Sequence, residues 1–143
     1  MNNFSYKSNK RKRARHKGRK SNGSFLMLGH DLIRSSEFAD LSPYAVKLLL
    51  EIASNFNGKN NGDLSAAYSI LSKRGWKSSG TLAKTKKELV AKGWLITTRQ
   101  GGRNRCSLFA VSWLPVDECC NKHDHPTESI PSNLWKNENS SRR

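Results

Sequence analysis

The chain has 143 residues, and 26 lysines and arginines against 11 aspartates and glutamates give it a formal net charge of +15 at pH 7. No stretch approaches the roughly twenty apolar residues of a membrane helix, and the apolar run at residues 25–28 is too short for a secretion signal. The three cysteines are an odd number and two are adjacent, which argues against a disulfide framework, so we expect a cytoplasmic protein without a membrane partner.

Residues 1–24 are a basic arm that contains nine lysines or arginines and no acidic residue. The arm has little apolar surface to bury and its charges repel one another, so we expect it to be disordered. Its expected partner is nucleic acid, because contact with phosphates releases counterions. A solvated tail or a nuclear import signal is the alternative. The arm residues predicted to contact nucleic acid are Lys10, Arg11, Lys12, Arg13, Arg15, Lys17, Arg19 and Lys20.

Residues 25–113 are predicted to form one small domain, with thirteen basic and six acidic residues, and residues 114–143 an extended polar tail. The segment 25–38 has apolar residues without a clean period and predicts a short strand or helix over the core. Ser42 and Pro43 are typical of a helix start, and apolar residues then recur every three or four positions as far as Phe56. This first core helix is predicted to end at the Asn- and Gly-rich turn 57–62.

Two further helices are predicted after a short strand at Asp63-Leu64. Ser65 is expected to cap a helix over 66–74, which ends at Gly75 and buries Ala67, Ile70 and Leu71. A helix over 79–92 follows, ends at Gly93 and buries Leu82, Leu89 and Val90. Two helices joined by a tight turn, the second rich in lysine, are typical of a helix-turn-helix.

A β-hairpin is predicted next, with strands at 94–99 and 106–113 and a turn at 101–104. Helix, short strand, helix, helix and hairpin together resemble the winged helix-turn-helix fold, an α+β fold of three helices and a β-hairpin wing. Specific stretches resemble small winged-helix proteins of bacterial phages and mobile elements. These stretches are 41–43 (Leu-Ser-Pro), 48–50 (Leu-Leu-Leu), 58–65, 89–95 and 101–102 (Gly-Gly). The resemblance implies a DNA-binding regulator or replication-type factor, with the third helix in the major groove and the wing on the neighbouring backbone.

The third predicted helix has a cationic outer face. If Leu82 and Leu89 face inward, then Lys84 and Lys87 face outward, and the serines at its start can hold a phosphate. The outer face lacks Arg, Asn and Gln, so phosphate contact is better supported than base reading. In the domain, the residues predicted to contact nucleic acid are Lys77, Ser78, Ser79, Lys84, Lys87, Arg103 and Arg105.

Cysteine and histidine in the tail raise the question of zinc, because Cys119, Cys120, His123 and His125 are all potential ligands. Their spacing matches no standard zinc finger, and Cys106 can alternate into the core as a small apolar residue. We therefore expect neither a metal nor another cofactor. The expected tail anchors are Ile130, Leu134 and Trp135.

No catalytic arrangement is evident, since the chain has no Gly-rich phosphate loop, no convincing carboxylate cluster and no nucleophile with an evident base. We therefore expect a binding protein and not an enzyme. Duplex DNA is the favoured partner. Two alternatives stay open: RNA or ribonucleoprotein binding through the arm, and a phage factor that inhibits or redirects a host nucleoprotein machine by protein contact.

Overall fold

The computed structural model describes residues 23–136 and has the predicted mixed α+β composition. The eight arm residues from Lys10 to Lys20, and the disorder predicted for them, lie outside the described residues. In chain order the elements are α1 (His30–Ile33), α2 (Ser36–Ala39), α3 (Pro43–Ala53), β1 (Leu64–Ser65), α4 (Tyr68–Leu71), a 3₁₀ turn (Ser72–Arg74), α5 (Ser79–Ala91), β2 (Leu95–Arg99), β3 (Leu108–Val111) and a 3₁₀ turn (Cys119–Asn121).

Helix α3 begins as predicted. The Ser42 hydroxyl accepts the backbone N–H of Ala45 at 3.2 Å, and Pro43 occupies the first turn, where its missing N–H has no helical partner to lose. The predicted apolar face is confirmed, because five of its residues are buried. The helix ends earlier than predicted, since the N–H of Phe56 bonds the carbonyl three residues back, that of Ala53.

The prediction of one helix over 66–74, capped by Ser65, is wrong. Ser65 belongs to β1 and pairs with Leu108 in the sheet, and the N-cap position is taken by Ala67, two residues further on. Helix α4 therefore begins at Tyr68 and gives way to a 3₁₀ turn after Leu71. Ile70, predicted inward, has 59% of its surface exposed. The left-handed end of this segment is confirmed, with φ of +94° at Gly75.

Helix α5 has the predicted bounds to within a residue, and Gly93 follows it with φ of +77°. Leu82 and Leu89 are buried as predicted, but Val90 is 38% exposed and that prediction is wrong. Thr85 is buried instead, so the three buried residues of α5, Leu82, Thr85 and Leu89, are three and four positions apart and share one face. Val90 follows Leu89 directly and therefore lies about 100° further round the helix.

The sheet has three antiparallel strands in the order β1-β3-β2. The predicted hairpin is confirmed: Gly102 and Arg105 exchange backbone hydrogen bonds of 2.9 and 3.1 Å, which leaves Arg103 and Asn104 at its tip. Asn104 has a positive φ (61°), a conformation that asparagine adopts more readily than most residues. All four residues of β3 are buried, instead of alternating with exposed residues.

The buried second face of the sheet is explained by the chain beyond β3. Val116 is fully buried there against Ile96 and Ala110, and Trp135 stacks on the core residue Trp94 with ring centroids 5.0 Å apart. Trp135 is thus a tail anchor as predicted. The other two predicted anchors are wrong, since Ile130 and Leu134 are 76% and 59% exposed. Residues 23–136 contain no helix with the length and apolar character to cross a membrane.

Candidate nucleic-acid interface

Positive charge is concentrated in one continuous part of the chain. Residues 73–105 contain ten lysines or arginines and a single acidic residue, Glu88. This stretch runs from the 3₁₀ turn after α4 through α5 and β2 to the hairpin tip. The net positive charge of residues 25–113 therefore comes entirely from this stretch, since the rest of the domain has three basic and five acidic residues.

The seven predicted contact residues of this region are all exposed. They are Lys77, Ser78, Ser79, Lys84, Lys87, Arg103 and Arg105. Within residues 23–136, none of the five basic residues in this set forms an ion pair, whereas Lys47, Arg74, Lys92 and Lys122 each do. The set is divided between two elements and the turn before α5: Lys84 and Lys87 lie on α5 opposite the buried Leu82 and Leu89, while Arg103 is at the hairpin tip.

The turn before α5 is fixed by hydrogen bonds to the rest of the domain. The indole N–H of the buried Trp76 donates to Glu51 at 2.6 Å, and the Tyr68 hydroxyl donates to the Lys77 carbonyl at 3.1 Å. The Ser78 hydroxyl caps α5 by accepting the Thr81 N–H at 3.2 Å. Ser78 is thus engaged in the cap, and only its hydroxyl hydrogen is left for a ligand.

Glu88 points away from the exposed face of α5 and joins the start of α3. Its two carboxylate oxygens accept the backbone N–H of Ser42 at 3.0 Å and the Ser42 hydroxyl at 2.7 Å, and Lys92 lies 3.4 Å away. Burial acts to raise the pKa of Glu88, but the hydrogen bonds from Ser42 and Lys92 outweigh it and lower the pKa below its ordinary value. The one acidic residue of the region is thus neutralised away from the candidate interface.

Replacing Glu88 with Gln should lower the free energy of unfolding by about 1–2 kcal/mol at neutral pH, because an amide has only one oxygen to accept the two Ser42 donors. The folded-state pKa is lowered, so the contribution of Glu88 is complete above the ordinary glutamate pKa of about 4.3 and is lost as the pH falls through the folded value. Denaturant unfolding at several pH values should therefore show the parent and variant converging in acid.

Glu118→Gln is the matched control, because Glu118 is exposed and forms no ion pair within residues 23–136. Its stability should follow that of the parent at every pH. A Glu88→Gln difference that stays constant down to strong acid would contradict the role assigned to the carboxylate.

A cleft separates α5 from the hairpin and has a volume of about 430 Å³. We call it the α5–hairpin cleft; its lining includes Ala83, Lys87 and Val90 of α5 and Thr97, Gln100 and Ser107 of the hairpin. Gln100 was not among the residues predicted from the sequence, because base-reading side chains were expected only on the helix. Its exposed amide has no hydrogen-bond partner within residues 23–136, and its position just before the Gly-Gly turn was the available signal.

The potential zinc ligands of residues 106–125 are not grouped into a metal site. Cys106 is exposed, so its expected place in the core is wrong, and Cys120 is exposed as well. The buried His123 has its Nε2 2.8 Å from the Asp117 carbonyl oxygen. Burial and the charge of Asp117 raise the pKa of the Cys119 thiol, which reduces its thiolate fraction. Within residues 23–136, no group of three or more His, Cys, Asp or Glu side chains is placed to hold a metal ion.

The chain matches no known protein-family model, no curated protein and no solved structure. The resemblance to winged-helix proteins of phages and mobile elements therefore stays a prediction.

Proposed function

We propose that this chain is a winged-helix protein that binds duplex DNA, with α5 in the major groove, the β2–β3 hairpin as the wing and the arm along the phosphate backbone. The element order supports the proposal: α3, β1, α4, α5 and the hairpin follow one another, and β1 pairs with β3 at the edge of the sheet. The proposed protein is a non-enzymatic regulator or replication-type factor of a phage or mobile element, which acts in the cytoplasm.

The observation that carries the proposal is the exposed, unpaired charge on two separate elements. Lys84 and Lys87 on α5, and Arg103 and Arg105 on the hairpin, are exposed and form no ion pair within residues 23–136. An extended row of like charges with no internal partner is disfavoured by self-repulsion. A phosphate backbone relieves that repulsion and releases counterions on binding.

The DNA contacts that we propose for each element follow from the chemistry of its side chains. Lysine contributes a point charge and not a planar fork, so Lys84 and Lys87 suit phosphates at the rim of the major groove. Arginine at the hairpin tip suits the backbone or the neighbouring minor groove. Gln100 in the α5–hairpin cleft is the side chain with two donors and an acceptor able to contact a base edge.

Two double variants test this interface: Lys84→Ala with Lys87→Ala, and Arg103→Ala with Arg105→Ala. Each should weaken binding to duplex DNA and reduce the slope of log affinity against log salt by about 0.9 for each phosphate that is no longer bound. Stability should change by less than about 0.5 kcal/mol per substitution, because all four side chains are exposed. Discrimination among sequences should suffer more from the helix variant, since the major groove carries the richer pattern of donors and acceptors.

The matched control is Arg34→Ala with Lys59→Ala, which removes the same charge from exposed positions outside α5 and the hairpin. Binding of this control should stay close to that of the parent at each salt concentration, apart from a uniform effect of net charge. If both interface variants bind duplexes as tightly as the control does, α5 and the hairpin are not the DNA-binding surface. Tight binding of all variants to a structured RNA would instead favour the RNA alternative.

A further inference from the structure

The wall that α5 contributes to the α5–hairpin cleft combines the small apolar side chains of Ala83, Val90 and Ala91 with two lysines, Lys86 and Lys87. Val90 keeps 38% of its surface exposed, and Ala83, which is two helical turns earlier, is exposed as well. Both lie on the flank of α5 that faces the hairpin, beside the outward-facing Lys87. Valine is not a strong helix former, and Val90 does not belong to the core cluster.

The face of α5 opposite the core, which we call its outer line, also allows a ligand to approach the helix backbone closely. A Cβ atom at Gly80 would meet only the Ser78 hydroxyl oxygen, at an ordinary 3.7 Å, so packing within the domain does not require glycine there. Glycine in a helix costs about 1 kcal/mol relative to alanine. Together with the short side chain of Ala91, it leaves the helix backbone accessible to a ligand at the two ends of this line, with Lys84 and Lys87 between them.

Duplex DNA offers one apolar group on the floor of the major groove, the C5-methyl group of thymine. Small apolar side chains flanked by phosphate-binding lysines are complementary to a row of such methyl groups. We propose that Val90, with Ala83 two turns earlier on the same flank, contacts thymine methyl groups and makes the protein prefer A·T-rich duplexes. This inference rests on the proposed function, since it needs α5 to lie in the major groove.

The test compares binding of the full chain to two duplexes made only of A·T pairs, one with thymine and one with uracil, which lacks only the methyl group. The parent should bind the uracil duplex more weakly, by about fourfold for each methyl group that it buries. The salt dependence should be the same for both duplexes, because the contact is uncharged.

Val90→Ser is the decisive variant, since serine has a helix propensity close to that of valine but lacks both methyl groups. It should reduce the ratio of the two affinities towards one. Val90→Ala provides a second variant with a better helix former. Ile70→Ser is the matched control: it removes an exposed branched side chain from α4 and should retain the full ratio.

Equal binding of the parent to both duplexes would overturn the inference. So would an undiminished ratio in both Val90 variants, because the methyl effect would then arise from DNA shape or hydration. If the parent binds neither duplex, the proposed function fails and this inference fails with it. Binding to both duplexes without discrimination overturns only the thymine contact.

Discussion

Deleting residues 1–23 is expected to weaken binding to every nucleic acid by a similar factor, while the remaining domain still unfolds cooperatively. The deletion removes nine lysines or arginines and no acidic residue, and binding by such a segment comes from counterion release. The slope of log affinity against log salt on duplex DNA should become shallower by about 0.9 for each phosphate that the arm had neutralised. Titrations of the parent and the deletion over a series of salt concentrations measure this slope directly.

A chain whose arm keeps its composition in a scrambled order is the control for this experiment. Its binding should match that of the parent, because counterion release depends on charge and not on order. An unchanged salt slope after the deletion would refute the role of the arm. Loss of binding confined to one structured RNA, with a scrambled arm equally inactive, would show that the arm recognises RNA.

The long helices could be predicted from the sequence because their signals are local. Ser42 and Ser78 each accept a backbone N–H three residues on, and Gly93 ends α5 with a positive φ. Apolar spacing then identified the buried faces of α3 and α5, apart from Val90. The exposed basic residues of α5 and the hairpin tip could be predicted for the same reason, since charge that is not near an apolar stripe faces solvent.

The rest depends on contacts between residues that are distant in sequence. Ser65 has the chemistry of a helix cap, but pairing with Leu108 places it in a strand. The sequence does not distinguish Glu88 from an ordinary surface carboxylate, because its contact with Ser42 forms only when α3 and α5 pack together. The tail anchor Trp135 could be predicted, but Val116 could not, because an apolar residue directly after Leu114 and Pro115 forms no helical or strand period that would mark it as buried.

The contribution of Asn61 to stability is the one that local sequence patterns predict least. Asn61 lies in a turn rich in Asn and Gly, yet it is fully buried and connects the turn to β3 and the chain beyond it. The two N–H groups of its side-chain amide are shared among the carbonyls of Val111, Leu114 and Pro115, at nitrogen–oxygen distances of 3.0, 3.1 and 3.0 Å, and its side-chain oxygen accepts the Val111 N–H at 2.8 Å. Its backbone also exchanges two hydrogen bonds with Asp117, of 2.9 and 2.8 Å.

Replacing Asn61 with Ala should therefore lower the free energy of unfolding by about 2–4 kcal/mol. The substitution removes the partner of the buried Val111 N–H and carbonyl and of two partly buried carbonyls, and each buried group left unsatisfied costs about 1–3 kcal/mol. A loss of this size is a large part of the roughly 5–15 kcal/mol that stabilises a small domain. Denaturant titration of the parent and variant, followed by tryptophan fluorescence, measures the difference, and the buried Trp94 and Trp135 provide the signal.

Asn60→Ala is the matched control, because it makes the same chemical change one residue earlier in the same turn. The Asn60 side chain bonds only to the nearby backbone of Asn55 and Asn57, at 2.9 and 2.8 Å, in contacts open to solvent. Its removal should cost about 0.5–1 kcal/mol, the net value of an ordinary hydrogen bond. Equal stability losses in the two variants would mean that Asn61 does not join the turn to the chain beyond β3, and the covering of the second sheet face would need another explanation.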